Sequence, residues 1–200
     1  MERPGAHPEP PADIANRDPL IYETSQSWRR IYAIDRGPIY FGRSKHNRFD
    51  APNSEYGVLY LAENAECAFI ETFGQSTGIN VVTVSSLSSA GLALVRSNRD
   101  LKLIDLANPG GLARIGADGR LCAGDHRVAQ RWSKALQQHP SKPDGLFYRA
   151  RHDQAFTACA LFDTAAEALS IVEEGTLMDP RNSHLLAGIL DTYRFALIKD

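Results

Sequence analysis

The sequence is short of cysteine, of long hydrophobic runs and of excess charge. Its 200 residues contain three cysteines, too far apart for a CxxC motif: Cys67, Cys122 and Cys159. Scattered cysteines in an odd number are typical of buried thiols in a reducing compartment, not of disulfides or a zinc site. No apolar run approaches the roughly 18 residues of a membrane span. The N-terminus lacks the basic and then apolar pattern of a signal peptide. We therefore expect a cytoplasmic protein without a membrane partner.

Several common catalytic motifs are absent as well. The sequence contains no GxGxxG, Walker A or GxSxG motif, so a Rossmann, P-loop or serine-hydrolase function has no support. Its histidines have neither HxxxH nor HxH spacing, and we expect no metal site and no resident cofactor. The net charge is −2, and no basic stripe is interleaved with aromatic residues. Direct binding of nucleic acid is therefore not expected.

The chain is predicted to form one domain preceded by a short arm. A length of 200 residues is most often one domain. The first nineteen residues are rich in proline and poor in large apolar side chains, with prolines at Pro4, Pro8, Pro10, Pro11 and Pro19. Such a composition predicts that residues 1–21 are disordered or loosely packed. A single domain is predicted over residues 22–200.

Hydrophobic patterning predicts more strands than helices, without strict alternation of the two. Strands are expected over residues 30–34, 39–41, 58–62, 81–84, 92–95, 101–106, 147–148 and 157–162. Helices are expected from the Asn64 cap to Phe73, after the Asp125 cap, from the capping box at Thr164 to Gly175, and from Ser183 onward. Residues 193–198 fit either a helix or a strand. This order favours an α+β fold with an antiparallel or mixed sheet and flanking helices.

The basic residues are concentrated in one segment. Between Trp28 and Arg48 there are six basic residues against the single acidic Asp35, a local excess of 6 − 1 = +5. Arginine matches phosphate oxygens with two parallel hydrogen bonds, so this excess favours an anionic ligand. A solvated basic edge is the structural alternative.

Glu71 and Tyr60 are candidates for a functional role. On a helix, Glu71 shares a face with Cys67 and Ala68, at i−4 and i−3, so its carboxylate lies on the apolar side. A carboxylate in that position is seldom buried without a partner or a purpose, and a structural ion pair and a functional role remain equally open. Tyr60 lies in the buried strand predicted over residues 58–62, just before that helix; its structural interpretation is a core aromatic residue.

Several ordered segments resemble the RES domain family. The first half of the resemblance runs from residue 28 to residue 74 and includes NRFD, LYLA and FIETF. The second half includes residues 101–121, 128–136 and the segment DGLFYRARHDQAFTACALFD. The resemblance covers residues 28–165. Because it rests on several motifs in the right order, it is more specific than any single one.

This resemblance implies a fold similar to that of ADP-ribosyltransferases and an activity on NAD. RES domains are known as bacterial toxins that break the nicotinamide–ribose bond of NAD by phosphorolysis or hydrolysis. NAD would be the substrate, with inorganic phosphate as a co-substrate. The implied partner is an antitoxin with an Xre-like DNA-binding domain, through which a homo-oligomer could assemble. Transfer of ADP-ribose to a protein is the alternative reaction, and a weak NAD-binding or antitoxin-binding module is the alternative class.

The resemblance also assigns three catalytic positions. Glu71 in FIETF matches the family's helix glutamate, and Arg48 in NRFD matches an arginine position. The family's serine falls on Ala150 within YRARHD, so this chain departs from one of the residues that give the family its name. Losing one hydroxyl that bonds a charged group would reduce the rate without abolishing it.

The expected substrate-binding residues are mostly arginines. Arg30, with Arg29 as the adjacent alternative, matches the family's first arginine, and Arg48 would share in holding the pyrophosphate. Tyr60 matches the tyrosine of LYLA and would stack on the nicotinamide ring. Arg151, in the stretch between Arg149 and Asp153, is expected at the edge of the NAD cleft.

Overall fold

A large mixed sheet forms the centre of the computed structural model, which describes residues 7–76 and 78–200. The strands are β1 (Ile21–Thr24), β2 (Trp28–Ala33), β3 (Val58–Ala62), β4 (Val81–Thr83), β5 (Ala90–Ser97), β6 (Leu101–Asp105), β7 (Gly145–Arg149), β8 (Thr157–Phe162), β9 (Leu169–Thr176) and β10 (Ala196–Ile198). Eight of them form one sheet in the order β1-β6-β7-β8-β3-β2-β5-β9. Its neighbouring strands are antiparallel except for the parallel pair of β6 and β7. Strands β4 and β10 form a separate parallel pair.

Helices flank this sheet. They are α1 (Ala65–Phe73), α2 (Val84–Ser88), α3 (Gly111–Ile115), α4 (Arg120–Ala123), α5 (His126–Gln137) and α6 (Ser183–Thr192), with 3-10 helices at Ile14–Asn16, Asp163–Ala168 and Pro180–Asn182. Among the residues that the structure describes, none of these helices is long and apolar enough to cross a membrane. The predicted α+β class with a mixed sheet and flanking helices is confirmed.

Both faces of the central sheet are covered, which explains the continuous apolar runs of its middle strands. On one face, Val58 of β3 and Phe162 of β8 belong to a buried cluster with Trp132 of α5. On the other face, Leu59 of β3 shares a second cluster with Trp28 of β2. Successive residues of a strand point to opposite faces, so a strand buried on both sides has no polar alternation.

Two predicted helix starts are confirmed by their caps. The side chain of Asn64 accepts a hydrogen bond from the Cys67 amide at 2.8 Å, and α1 ends at Gly74 as expected. Asp125 caps α5 in the same way, by accepting from the Arg127 amide at 2.7 Å. These caps satisfy amide groups that have no partner inside the helix.

The helix predicted from Thr164 to Gly175 is wrong. The chain forms a short 3-10 helix over Asp163–Ala168 and then strand β9, which pairs antiparallel with β5. This 3-10 helix follows Phe162 and has no side-chain cap, and the β-branched pair Ile171 and Val172 lies within the strand. Pairing with β5 therefore overrides the local capping pattern. The strand expected over residues 39–41 is also absent from the described chain, which has only an isolated bridge between Gly42 and Val58.

The predicted arm contacts the domain at its inner end. Its first six residues lie outside the described part of the chain. The ring of His7 meets that of Trp132 edge-on at 5.3 Å, and the Trp132 indole donates to the Pro8 carbonyl at 2.8 Å. Glu9 forms an ion pair with Arg131 of α5. The division of the chain into an arm over residues 1–21 and a domain over residues 22–200 stays a prediction.

Candidate active site

Glu71 lies between two neighbouring cavities. It is carried by the last turns of α1, whose inner residues Cys67 and Ala68 are buried. One cavity has a volume of about 160 Å³ and the other of about 100 Å³. Glu71, Tyr60 and Tyr148 line both cavities, so we treat the two as one cleft, with an inner part of 160 Å³ and an outer part of 100 Å³. The helical spacing seen in the sequence thus directs this carboxylate to the wall of a cleft.

The backbone of the YRARHD stretch holds the Glu71 carboxylate. Its Oε1 accepts a hydrogen bond from the His152 amide at 2.7 Å. The Glu71 carboxylate also affects the neighbouring Cys67. Burial raises the pKa of the Cys67 thiol to about 12, and the Glu71 carboxylate adds to that shift. Cys67 is therefore an inert, protonated packing residue rather than a nucleophile.

Tyr60 is held by hydrogen bonds at its hydroxyl. The hydroxyl donates to Asp50 Oδ1 at 3.0 Å and accepts from the Phe49 amide at 2.9 Å. Burial, and then the Asp50 carboxylate, raise the pKa of Tyr60 well above its usual value, so the phenol stays neutral. Asp50 also accepts from the Asn47 amide at 3.1 Å and thereby organises the loop that carries Arg48. The tyrosine ring is consequently a fixed wall of the cleft.

Arg48 is a buried cation without a carboxylate partner among the residues that the structure describes. It is 8% exposed, and its Nη1 donates to the Gly124 carbonyl at 2.8 Å. Burial lowers the pKa of its guanidinium, and the neighbouring charge of Arg151 lowers it further. The outer part of the cleft is lined by both arginines together with His126 and His152. Two guanidinium groups beside hydrogen-bonding imidazoles in a confined space are suited to an anion.

The two adjacent arginines of β2 differ in their partners. Arg29 forms an ion pair with Glu174 at 3.2 Å. Arg30 donates to the Tyr40 carbonyl at 3.3 Å and has no ion pair within the described chain, while burial lowers its pKa to about 10. Both arginines line the inner part of the cleft. Arg30 is thus the one whose charge is free to meet a ligand.

Ala150 lies behind the cleft. It is 1% exposed and belongs to an apolar cluster with Ala62, Cys67 and Ala68. It lines a third cavity of about 220 Å³, which also contacts Cys122 and Arg151. These two residues line the outer part of the cleft as well, so the third cavity adjoins it. The structure thus brings Arg30, Arg48, Tyr60, Glu71 and Arg151 to the cleft and leaves Ala150 beside it.

The charge excess of residues 28–48 separates into two groups. Arg43 pairs with Asp163 at 2.7 Å, and Arg36 lies over the Tyr40 ring with its guanidinium carbon 5.6 Å from the ring centre. Arg30 and Arg48, by contrast, face the cleft. Only part of the basic segment therefore lines the cleft.

Tyr148 and His126 also line the cleft, although neither was predicted to do so from the sequence. Tyr148 is the last residue but one of β7 and packs edge-on against Phe49, with ring centres 4.9 Å apart. Its place directly before the charged stretch is the only signal that the sequence offered. His126 begins α5, and its Nδ1 contacts the His46 carbonyl at 3.0 Å. No local pattern reveals that contact, because the two histidines are 80 residues apart.

Comparisons with known proteins agree on the family. A family model described as the RES domain matches residues 9–182. A relative from Sinorhizobium fredii (strain NBRC 101917 / NGR234), described as probable toxin y4kH, is 35% identical over 125 residues, which are 62% of this chain and 94% of the relative. The M. tuberculosis MbcT-MbcA toxin-antitoxin complex contains a chain of similar fold, with a TM-score of 0.56 at 17% identity, covering 84% of this chain and 92% of that one. The predicted resemblance is confirmed, and this chain belongs to the RES domain family.

Proposed function

We propose that this chain is an NAD-consuming toxin that breaks the nicotinamide–ribose bond and passes ADP-ribose to phosphate or water. The observation that carries the proposal is the position of Glu71 at the junction of two cavity parts, each lined by an arginine without a carboxylate partner in the described chain. A carboxylate between two cationic regions suits a reaction that brings two anions together, the pyrophosphate of the substrate and an attacking phosphate.

The arginines support binding of NAD and phosphate. Arg30 in the inner part and Arg48 with Arg151 in the outer part offer guanidinium groups that pair with phosphate oxygens. One region would hold the pyrophosphate of NAD and the other an attacking phosphate. With water as the acceptor, the second region would stay free of ligand.

The aromatic walls support binding of the nicotinamide ring. Tyr60 and Tyr148 both line the cleft beside Glu71, and burial raises the pKa of each phenol well above its usual value. A flat cationic ring binds favourably against a neutral aromatic face. Stacking there would place the ribose within reach of the Glu71 carboxylate.

Glu71 would act on the reacting sugar. As the nicotinamide leaves with the bonding electron pair, positive charge develops on the ribose, as in the cleavage of glycosides. A carboxylate fixed beside that carbon stabilises the transition state more than the ground state. An oxygen of phosphate or water then forms the new bond to the anomeric carbon.

The partner of this chain would be an antitoxin. The curated relative is described as a probable toxin, and the similar fold was solved in a toxin-antitoxin complex. We propose an antitoxin with an Xre-like DNA-binding domain and a cytoplasmic location, where NAD is available. A homo-oligomer would form through that complex.

A catalytically weak chain that binds NAD or its antitoxin is the second candidate. Ala150 favours it, because its buried methyl group stands where the family has a serine hydroxyl. ADP-ribosyl transfer to a protein would use the same cleft. The product distinguishes this transfer from phosphorolysis and from hydrolysis of NAD.

The test is to incubate the purified chain with NAD, with and without phosphate, and to follow the products by NMR. We expect release of nicotinamide together with ADP-ribose or its 1-phosphate. Glu71→Gln should lower kcat by about 100-fold with a smaller change in KM, because it removes charge stabilisation in the transition state. Glu66→Gln is the matched control, since Glu66 lies in the first turn of the same helix and lines a separate cavity.

Two results would contradict the proposal. One is the absence of nicotinamide release from the wild-type chain. The other is an equal loss of kcat in both variants, which would mean that the position of Glu71 in the cleft is irrelevant. Labelled ADP-ribose appearing on protein would instead support the transferase.

A further inference from the structure

The backbone that holds Glu71 is a tight turn over residues 150–156, which we call the 150–156 turn. The Ala150 amide donates to the Phe156 carbonyl at 3.1 Å, and the Phe156 amide donates back to the Asp153 carbonyl at 3.1 Å. Asp153 Oδ1 accepts from the Ala155 amide at 3.1 Å. Asp153 therefore stabilises the turn twice, once through its backbone carbonyl and once through its side-chain carboxylate. It presents the His152 amide to Glu71.

The C-terminal part of the chain contacts this turn directly. Tyr193 follows the last residue of α6, and its hydroxyl donates to Asp153 Oδ2 at 3.0 Å. Burial, and then the Asp153 carboxylate, raise the pKa of Tyr193, so the phenol remains a donor. Tyr193 lies beyond residue 182, where the match to the RES domain model ends.

The same C-terminal part also packs against the helix that carries Glu71. The ring of Phe195 meets that of Phe69 on α1 edge-on, with centres 5.2 Å apart. Leu186 and Ile189 of α6 belong to the same buried cluster as Phe69. One segment thus touches both elements that meet at the hydrogen bond between His152 and Glu71.

We propose that Tyr193 is a positioning residue that keeps the His152 amide on the Glu71 carboxylate. Its hydroxyl fixes Asp153, the residue next to His152, relative to the packed C-terminal segment. Hydrogen bonds with an ionised partner are among the strong ones, and small misplacements of a reacting group lower rates substantially. The expected loss of NAD turnover rests on the proposed function. The expected loosening of the hydrogen bond between the His152 amide and Glu71 does not.

The test compares Tyr193→Phe with Tyr32→Phe. Both changes remove one hydroxyl that donates to a carboxylate at 3.0 Å, since Tyr32 bonds Glu173 Oε2. Tyr32 lies outside the lining of the cleft. The first measurement is hydrogen exchange of the His152 amide by NMR, and the second is the kinetics of NAD turnover.

We expect Tyr193→Phe to accelerate exchange of the His152 amide about tenfold and to lower kcat by about tenfold, with KM for NAD changed less than twofold. Tyr32→Phe should leave both unchanged. Asp153→Asn weakens the same bond, so combining it with Tyr193→Phe should add little to the larger single effect.

The two readouts separate the two proposals. Unchanged His152 exchange in Tyr193→Phe, or equal acceleration in Tyr32→Phe, would overturn the positioning role whether or not NAD is consumed. A wild-type chain that does not turn over NAD would overturn the proposed function, while the exchange rate of His152 would still decide the role of Tyr193.

Discussion

At the scale of single residues, the arginines divide by their partners. Arg43 donates to the Ser54 and Glu55 carbonyls and pairs with Asp163. Arg48 is buried with a single carbonyl acceptor among the described residues. Burying a charge without a counter-charge opposes folding, so Arg48 is not explained by stability. A ligand anion would complete its surroundings.

Replacing Arg48 should therefore weaken ligand binding and spare stability, whereas replacing Arg43 should lower stability and spare ligand binding. Arg48→Ala is expected to raise the Kd for NAD about 10- to 100-fold, because a charge-assisted hydrogen bond is lost, and to leave the free energy of unfolding unchanged or higher. Arg43→Ala should lower that free energy by up to about 1 kcal/mol and leave NAD binding intact. Calorimetric titration and urea unfolding measure the two quantities. Similar Kd changes in both variants would contradict an anion site at Arg48.

The second residue-scale prediction concerns Ala150. Ala150→Ser should raise NAD turnover about tenfold, because it restores a hydroxyl next to Arg151 and the adjoining cavity. Ala165→Ser is the control, since Ala165 is equally buried in a cluster away from the cleft. A rate that does not increase in Ala150→Ser would show that this chain does not need the serine hydroxyl.

At the scale of elements, a buried carboxylate joins the neighbouring strands β6 and β7. Asp144 directly precedes β7 and accepts both guanidinium hydrogen bonds of Arg99 at 2.7 Å and the Lys102 amide of β6 at 2.9 Å. Burial alone would raise the pKa of Asp144, but these hydrogen bonds outweigh it and hold the pKa below its usual value. The ionised form thus supports the parallel pairing of β6 with β7.

The stability of the protein should accordingly depend on Asp144 and on pH. Because the pKa is lowered in the folded state, this contribution is complete above the unfolded value near 4 and is lost as pH falls through the lower, folded value. Asp144→Asn should reduce the free energy of unfolding by about 1.5–3 kcal/mol at pH 7. The difference between the two proteins should shrink in acid. Urea unfolding at a series of pH values measures it, and a constant difference would contradict the assignment.

At the scale of the whole molecule, the N-terminal arm contacts α5 at residues that do not line the cleft. Its Pro8 carbonyl satisfies the indole of Trp132, a residue that is 0% exposed, and His7 Nε2 accepts from the Asp118 amide at 3.2 Å. An indole left buried without an acceptor would destabilise the fold. The arm therefore closes one face of the core.

Deleting residues 1–12 should lower the free energy of unfolding by about 1–3 kcal/mol and shift tryptophan fluorescence to the red as Trp132 meets water. Glu9→Gln, which removes only the exposed pair with Arg131, should cost less than about 1 kcal/mol. An equal loss of unfolding free energy in both proteins would show that the surface ion pair, not the packing of the arm against Trp132, is the stabilising contact.

Most of what the sequence by itself determined is local or carried by ordered motifs. Membership in the RES domain family follows from several motifs in a fixed order along the chain. The caps at Asn64 and Asp125, the buried strand β3 and the direction of Glu71 on α1 follow from neighbouring residues. Such features depend on hydrogen bonds and packing within one or two turns of chain. They leave a clear pattern in the sequence for that reason.

The tertiary structure decided what depends on distant partners. Strand β9 replaces a plausible helix because β5 offers it a ladder of hydrogen bonds. The cleft exists because the His152 amide reaches Glu71 across 81 residues and because α5 meets the loop before Phe49. The seal of the arm over Trp132 and the contact of Tyr193 with Asp153 have the same origin. The physical reason is that long-range contacts are selected by the packing of the whole core, which no local window of sequence contains.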